Sequence, residues 1–160
     1  MTIALARGLT LSSLLLVGAI AGFFYAYWCS VMIGLDAAGA AVAAPAMQGI
    51  NATVRNAMFA PSFFGPLVVL PAAALASALG GARMAALWLT AAFVTFAIGA
   101  FLVTLWINVP MNNAFAAASP GEWPRYLADW SFWNGVRTIA SFAALALVGL
   151  ALMDQSRHGA

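Results

Sequence analysis

The chain of 160 residues carries six basic and four acidic side chains, 6% charge against 65% hydrophobic residues; a soluble domain carries about 25% charge, so this one could not cover its surface. The net charge of +2 comes from scattered arginines, which excludes a nucleic-acid-binding face. The absence of lysine excludes Schiff-base chemistry, the single Cys29 excludes an internal disulfide, and the single His158 excludes a di-histidine metal site or bis-histidine haem within one chain.

Uncharged runs cover residues 8–35, 37–54, 56–82, 84–121 and 138–153, and a membrane-spanning helix needs about 20 apolar residues. The run after Arg7 is too long for the apolar core of a signal peptide and predicts a first span over residues 9–33. Within it Gly18 and Gly22, four residues apart, permit close helix approach. Residues 47–58 predict an amphipathic helix lying in the interface. Met47, Ile50, Val54 and Met58 share one side of it, and Gln48, Asn51, Arg55 and Asn56 the other. That polar side either faces water or folds inward as the lid of a site.

The second span is expected over 62–79, bent at Pro66 and Pro71, and the third over 84–106, entered through a glycine turn at 80–83. The following Asn108-Val-Pro-Met-Asn-Asn113 predicts a loop over the bundle mouth, because Pro110 disfavours helix at Val109. Helix over 138–153 alone would be about 24 Å long, short of the roughly 30 Å hydrocarbon core. The fourth span is therefore expected over 131–153, with Arg137 inside it.

These elements predict an all-α transmembrane four-helix bundle of up-down topology, one integral membrane domain over 1–160, with the interfacial helix between the first two spans. That topology puts both termini on one side. Arg7, Arg83 and Arg157 mark this side as cytoplasmic, in a bacterial inner membrane.

The polar residues are distributed unevenly. All six asparagines (51, 56, 108, 112, 113 and 134) and all three tyrosines (25, 27 and 126) fall at one end of the bundle, with five of the six tryptophans. Trp88 alone lies toward the other end, whereas an interfacial aromatic belt decorates both faces. Amides near lipid must be satisfied, so six at one end imply a hydrogen-bonded network, a wet cavity or a ligand; helix capping and loop stability are the plainer alternative.

Trp133 and Asn134 lie three and four residues after Trp130, Arg137 follows them by four and three, and Ser141 follows Arg137 by four, so the five share a helix face. An arginine there faces the protein interior, a cavity or a partner charge, or else snorkels to the headgroups. The carboxylates at this end are Asp36, Glu122 and Asp129, and one of them is expected to pair with Arg137.

Several stretches resemble the small bacterial and fungal membrane proteins called anthrone-oxygenase-like. They are Gly22-Phe-Phe-Tyr, Ser30-Val-Met-Ile-Gly-Leu, Met47-Gln-Gly-Ile-Asn, Asn108-Val-Pro-Met-Asn-Asn and Trp130-Ser-Phe-Trp-Asn-Gly-Val-Arg-Thr. The asparagine-valine-proline and tryptophan-asparagine-arginine elements are the specific ones. The family pattern carries histidine where this chain has Gly135, and proline where it has Ile33.

The resemblance implies oxygenation of a hydrophobic polycyclic phenol or anthrone without metal or flavin. On that reading Trp130 and Trp133 stack the ring, and Asn51, Asn108, Asn134 and Arg137 donate hydrogen bonds. Asp36 or Asp129 is then the base by default, and Arg55, Asn112, Asn113 and Tyr126 complete the substrate-binding set. No cofactor is expected; a haem or metal would have to draw on Met111, Met32 or Cys29. Two other readings fit the same residues. One is a site that binds a quinone-like compound or lipid without turnover. The other is an accessory subunit packed into a homo-oligomer or a larger membrane complex.

Overall fold

The computed structural model describes residues 3–157, and His158 lies outside the described residues. Among them every regular element is helical: α1 (Ile3–Ala37), α2 (Ala40–Thr53), α3 (Ala60–Leu79), α4 (Arg83–Phe115) and α5 (Pro120–Arg157), the last opening with a 3₁₀ turn over Pro120–Glu122. Helices α1, α3, α4 and α5 are each long and apolar enough to cross a membrane. The chain is an integral membrane protein built as a four-helix bundle.

The helices outrun the predicted spans of 9–33, 62–79, 84–106 and 131–153. Hydropathy marks the length that lipid requires, about 20 residues, but except at Leu79, where Gly80 and Gly81 follow, nothing in the sequence ends the helices there. In α4, helix continues through Pro110 to Phe115, so the 108–113 segment is not a loop. The reason lies one turn earlier, where Thr104–Asn108 is wound as π-helix. A widened turn of this kind accommodates a proline ring that would clash with the preceding turn of a regular α-helix.

The short helix also sits differently from the predicted 47–58. It runs from Ala40, after Gly39 at φ 82°, and stops at Thr53. Asn56 explains the stop. Its Oδ1 accepts the backbone N–H groups of Met58 (2.9 Å) and Phe59 (3.1 Å), which turns the chain into α3.

α1 packs on α3 and α5, and α4 packs on the same two helices, enclosing Val17, Ile20, Phe24, Leu70, Leu89, Phe96 and Val148. Lipid tails are as apolar as these side chains, so the association depends on close contact and buried hydrogen bonds rather than on water exclusion. The tightest approach is between α4 and α5, where a Cβ at Gly99 would overlap the Cβ of Ala140. A Cβ at Gly18 would touch Leu145 at 3.7 Å and one at Gly22 would meet nothing within 4 Å, so only the first of that pair lies at a helix contact.

One end of the bundle is locked by Gln155. Its Nε2 donates to Thr10 Oγ1 and Ser77 Oγ, both at 2.9 Å, and so ties α5 to α1 and α3. Arg7 Nη2 donates to the Gln155 carbonyl at 2.6 Å, and the Ala85 N–H donates to Asp154 Oδ2 at 3.0 Å. The other end opens into a cavity.

Candidate functional site

A cavity of about 430 Å³ lies where α2 and the turn after it fold across α1, α3, α4 and α5. It is within the range of small-molecule sites, about 300–1,000 Å³. Its walls carry several aromatic rings: Phe24 and Tyr27 from α1, Phe59 and Phe63 beside the start of α3, and Trp130 from α5. Phe59 and Phe63 stack with centroids 5.2 Å apart, and Tyr27 leans on Trp130 at 5.5 Å.

Arg137 forms part of this lining while being only 5% exposed. Its guanidinium lies 4.5 Å from the Phe24 ring centroid and 5.1 Å from that of Trp130, a cation held between two π faces. Nη2 donates to Asn134 Oδ1 at 3.0 Å and Nη1 to Thr104 Oγ1 at 3.3 Å, while Nε has no partner. Asn134 is itself fixed, its Nδ2 donating to the Phe24 carbonyl at 2.9 Å. Three helices thus position one cation.

The expected carboxylate partner for Arg137 is absent among the described residues. Asp36 accepts the Trp123 indole N–H at 3.0 Å instead. Asp129 projects outward, its side chain 59% exposed and 3.9 Å from Arg125, while Glu122 is exposed in the 3₁₀ turn that opens α5. None of the three lines the cavity. Helical register is the cause: Asp129 precedes Trp130 by one position and so points about 100° away from it.

An amide and aromatic network closes the upper wall. Asn51 Nδ2 donates to Tyr126 Oη (3.0 Å), Tyr126 donates to Asn112 Oδ1 (2.9 Å), and the Trp130 indole donates to the same oxygen (3.0 Å). Tyr126 stacks on Phe115 at 3.9 Å, so the chain of bonds is backed by packed rings. Gln48 Nε2 donates to the Phe115 and Ala118 carbonyls at the end of α4, satisfying acceptors that a helix terminus leaves open. The polar side of α2 therefore folds inward at Gln48 and Asn51. Arg55 and Asn56 follow it, exposed, at the cavity mouth.

Of the catalytic and substrate-binding residues expected from the sequence, Asn51, Arg55, Asn112, Trp130 and Arg137 line the cavity. Asn134 and Tyr126 stand behind them, bonded to lining residues. Trp133 points elsewhere and packs edge-on against Phe132, and Asn113 is exposed. Asn108 is 1% exposed, outside the lining, with neither amide atom partnered. Cys29 is exposed, whereas Met32 and Met111 pack with Trp123 and Tyr126.

Gly135 lies against Trp28, where an added Cβ would meet the indole at 3.4 Å, so a side chain at that position would enter the α1–α5 seam. Thr104 and the wall phenylalanines were not singled out in the sequence. Thr104 sits four residues before Asn108, a signal that could have been used, but a phenylalanine in a span is indistinguishable from one facing lipid.

No curated protein and no solved structure matches the chain. The model of the family described as anthrone oxygenase matches residues 55–147, which include the cavity mouth, α3, α4, and α5 through Arg137. With more than half of its length matched, the chain belongs to the anthrone oxygenase family.

Proposed function

We propose that the cavity binds a planar, oxygen-bearing polycyclic aromatic of the anthrone or quinone type, and that the protein oxygenates it without metal or flavin. One observation carries the reading: a buried, uncompensated guanidinium with an unpartnered N–H sits between aromatic rings in the lining of a ligand-sized cavity. A buried cation without a counter-charge is costly. A ligand oxygen that becomes anionic during the reaction supplies the missing partner.

An anthrone loses a proton from its methylene carbon to give an enolate whose charge spreads onto the ring oxygen. Arg137 stabilises that oxygen with its positive charge, as an oxyanion donor does. The carbanion end transfers an electron to dioxygen and the two radicals combine, forming the C–O bond of a peroxide. Protonation of the peroxide, loss of the second methylene hydrogen and cleavage of O–O then yield the quinone and water. In sum, one anthrone and one dioxygen give one anthraquinone and one water. No carboxylate lines the cavity, so the first proton leaves to water at the mouth, and Arg137 promotes ionisation by making the enolate the favoured partner.

The test uses purified full-length protein in lipid nanodiscs with anthrone under air, following dioxygen uptake and anthraquinone formation together. Matched consumption and product above the spontaneous rate supports the reading, and a rate equal to protein-free discs sinks the catalytic part. Retention of anthraquinone by the protein without turnover would leave a binding protein. A stable assembly with a second protein, combined with failure to bind any aromatic, would favour the accessory role.

A further inference from the structure

The charged residues that line the cavity are Arg137 at its floor and Arg55 at its mouth, and no aspartate or glutamate joins them. Arg137 is 5% exposed, whereas Arg55 is exposed and has no ion-pair partner among the described residues. Its neighbour Asn56 is committed to the turn, donating to the Thr53 carbonyl and accepting from Met58 and Phe59. That turn fixes the backbone of Arg55 beside the opening. A neutral ligand with one ring oxygen would satisfy Arg137 and leave the second cation unanswered.

We infer that the ligand is a planar aromatic acid, with its ring oxygen at Arg137 and a ring-borne carboxylate at Arg55. This rests on the reading of the cavity as an aromatic-binding site and adds a class of substrate to it. The assignment of the two ends follows from desolvation. A localised carboxylate loses much hydration if carried to the floor, but keeps most of it at the mouth. A ring oxygen, weakly charged until the enolate forms, loses less on burial and gains most where the dielectric is low. The aromatic walls between the two cations hold the ring and set its direction. Arg55 is then a specificity-determining residue that reads the acid and fixes which edge of the ring enters first.

The experiment measures the affinity of anthraquinone-2-carboxylate and of anthraquinone-2-carboxamide for the full-length protein in phosphatidylcholine nanodiscs, with empty discs as blank. The acid is expected to bind about fivefold tighter than the amide, the size of one exposed ion pair. Arg55→Gln should erase that ratio by weakening the acid more than the amide, and 0.5 M salt should shrink it in the native protein. Arg55 is exposed, so the substitution should leave thermal unfolding as it was. Equal affinity of acid and amide overturns the inference while leaving the aromatic site standing, and so does a ratio that survives Arg55→Gln. Binding of neither compound overturns both the inference and the cavity reading beneath it.

Discussion

Arg137 and Gln155 are about five turns apart on α5, which places them on one face of the helix and about 27 Å apart along it. Both are buried, both reach across to other helices, and Thr138, Ser141, Ala144, Val148 and Ala151 are buried between them. Their surroundings differ. Gln155 Nε2 spends its hydrogens on Thr10 and Ser77, so that end of the bundle is fastened; its Oε1 alone is left without a partner. Arg137 makes one good and one long hydrogen bond, keeps Nε free and carries an unpaired charge in the wall of a cavity. The same device, a long polar side chain turned into the bundle, serves assembly at one end and is left incomplete at the other.

The sharpest way to break this contrast is to remove the charge. Arg137→Met keeps the length and apolar stem of the side chain and discards the cation. Turnover of anthrone should fall by about 100-fold or more, as for loss of an oxyanion donor. Stability should rise by about 1–3 kcal/mol, because an uncompensated buried charge is replaced by a packed apolar group. Activity and unfolding in detergent would be measured on the same preparation. A variant that loses activity and also unfolds more readily would mean that Arg137 is as structural as Gln155.

The reciprocal change is Gln155→Leu. Thr10 and Ser77 keep their own bonds to the Ala6 and Ala73 carbonyls, so only their acceptor capacity is lost. The expected cost is about 1–2 kcal/mol of stability, with ligand affinity within twofold of the native protein. A large fall in affinity with little change in stability would show that the two ends are coupled.

Between these extremes lies Tyr126→Phe. The ring stays stacked on Phe115, but the link from Asn51 through the hydroxyl to Asn112 is cut. One net hydrogen bond in the wall is worth about 1 kcal/mol, so affinity should drop about fivefold through a looser α2, with the bundle's unfolding midpoint little changed. Native-state hydrogen exchange in residues 47–53 should rise in parallel; unchanged exchange there would remove the network from the account.

Much of this is legible in the sequence, and the boundary follows physical lines. Charge spacing is enough to find four spans, and the one-sided asparagines and indoles are enough to say which end differs. Arg137 stood out because a permanent cation in a span needs a reason. What stayed hidden depends on three-dimensional register. Nothing local in Val109 and Pro110 announces that the preceding turn is widened and lets helix continue. Gly99 looks like any glycine until Ala140 is seen against it. Trp133 shares the calculated helix face of Arg137, yet it packs against Phe132 outside the cavity.

The carboxylates give the smallest expected effect and the most direct check on how the site works. Asp36 or Asp129 is the base by default on the reading that the family resemblance implies. Asp129 instead stands beside Arg125 on the outer face of α5, one residue from Trp130 but turned away from the cavity. Asp36 serves the Trp123 indole. If ionisation of the ligand is driven by Arg137 and completed by water, Asp129→Asn should change turnover less than twofold at any pH between 6 and 8. Asp36→Asn, which keeps an acceptor for the indole, should do the same. A loss of tenfold or more in either variant, with the affinity for anthraquinone unchanged, would return the base to a carboxylate and require the end of α1 or the start of α5 to move during the reaction. Unchanged turnover in both, set against the loss expected for Arg137→Met, would place the catalytic contribution in the one charge that the bundle leaves unpaired.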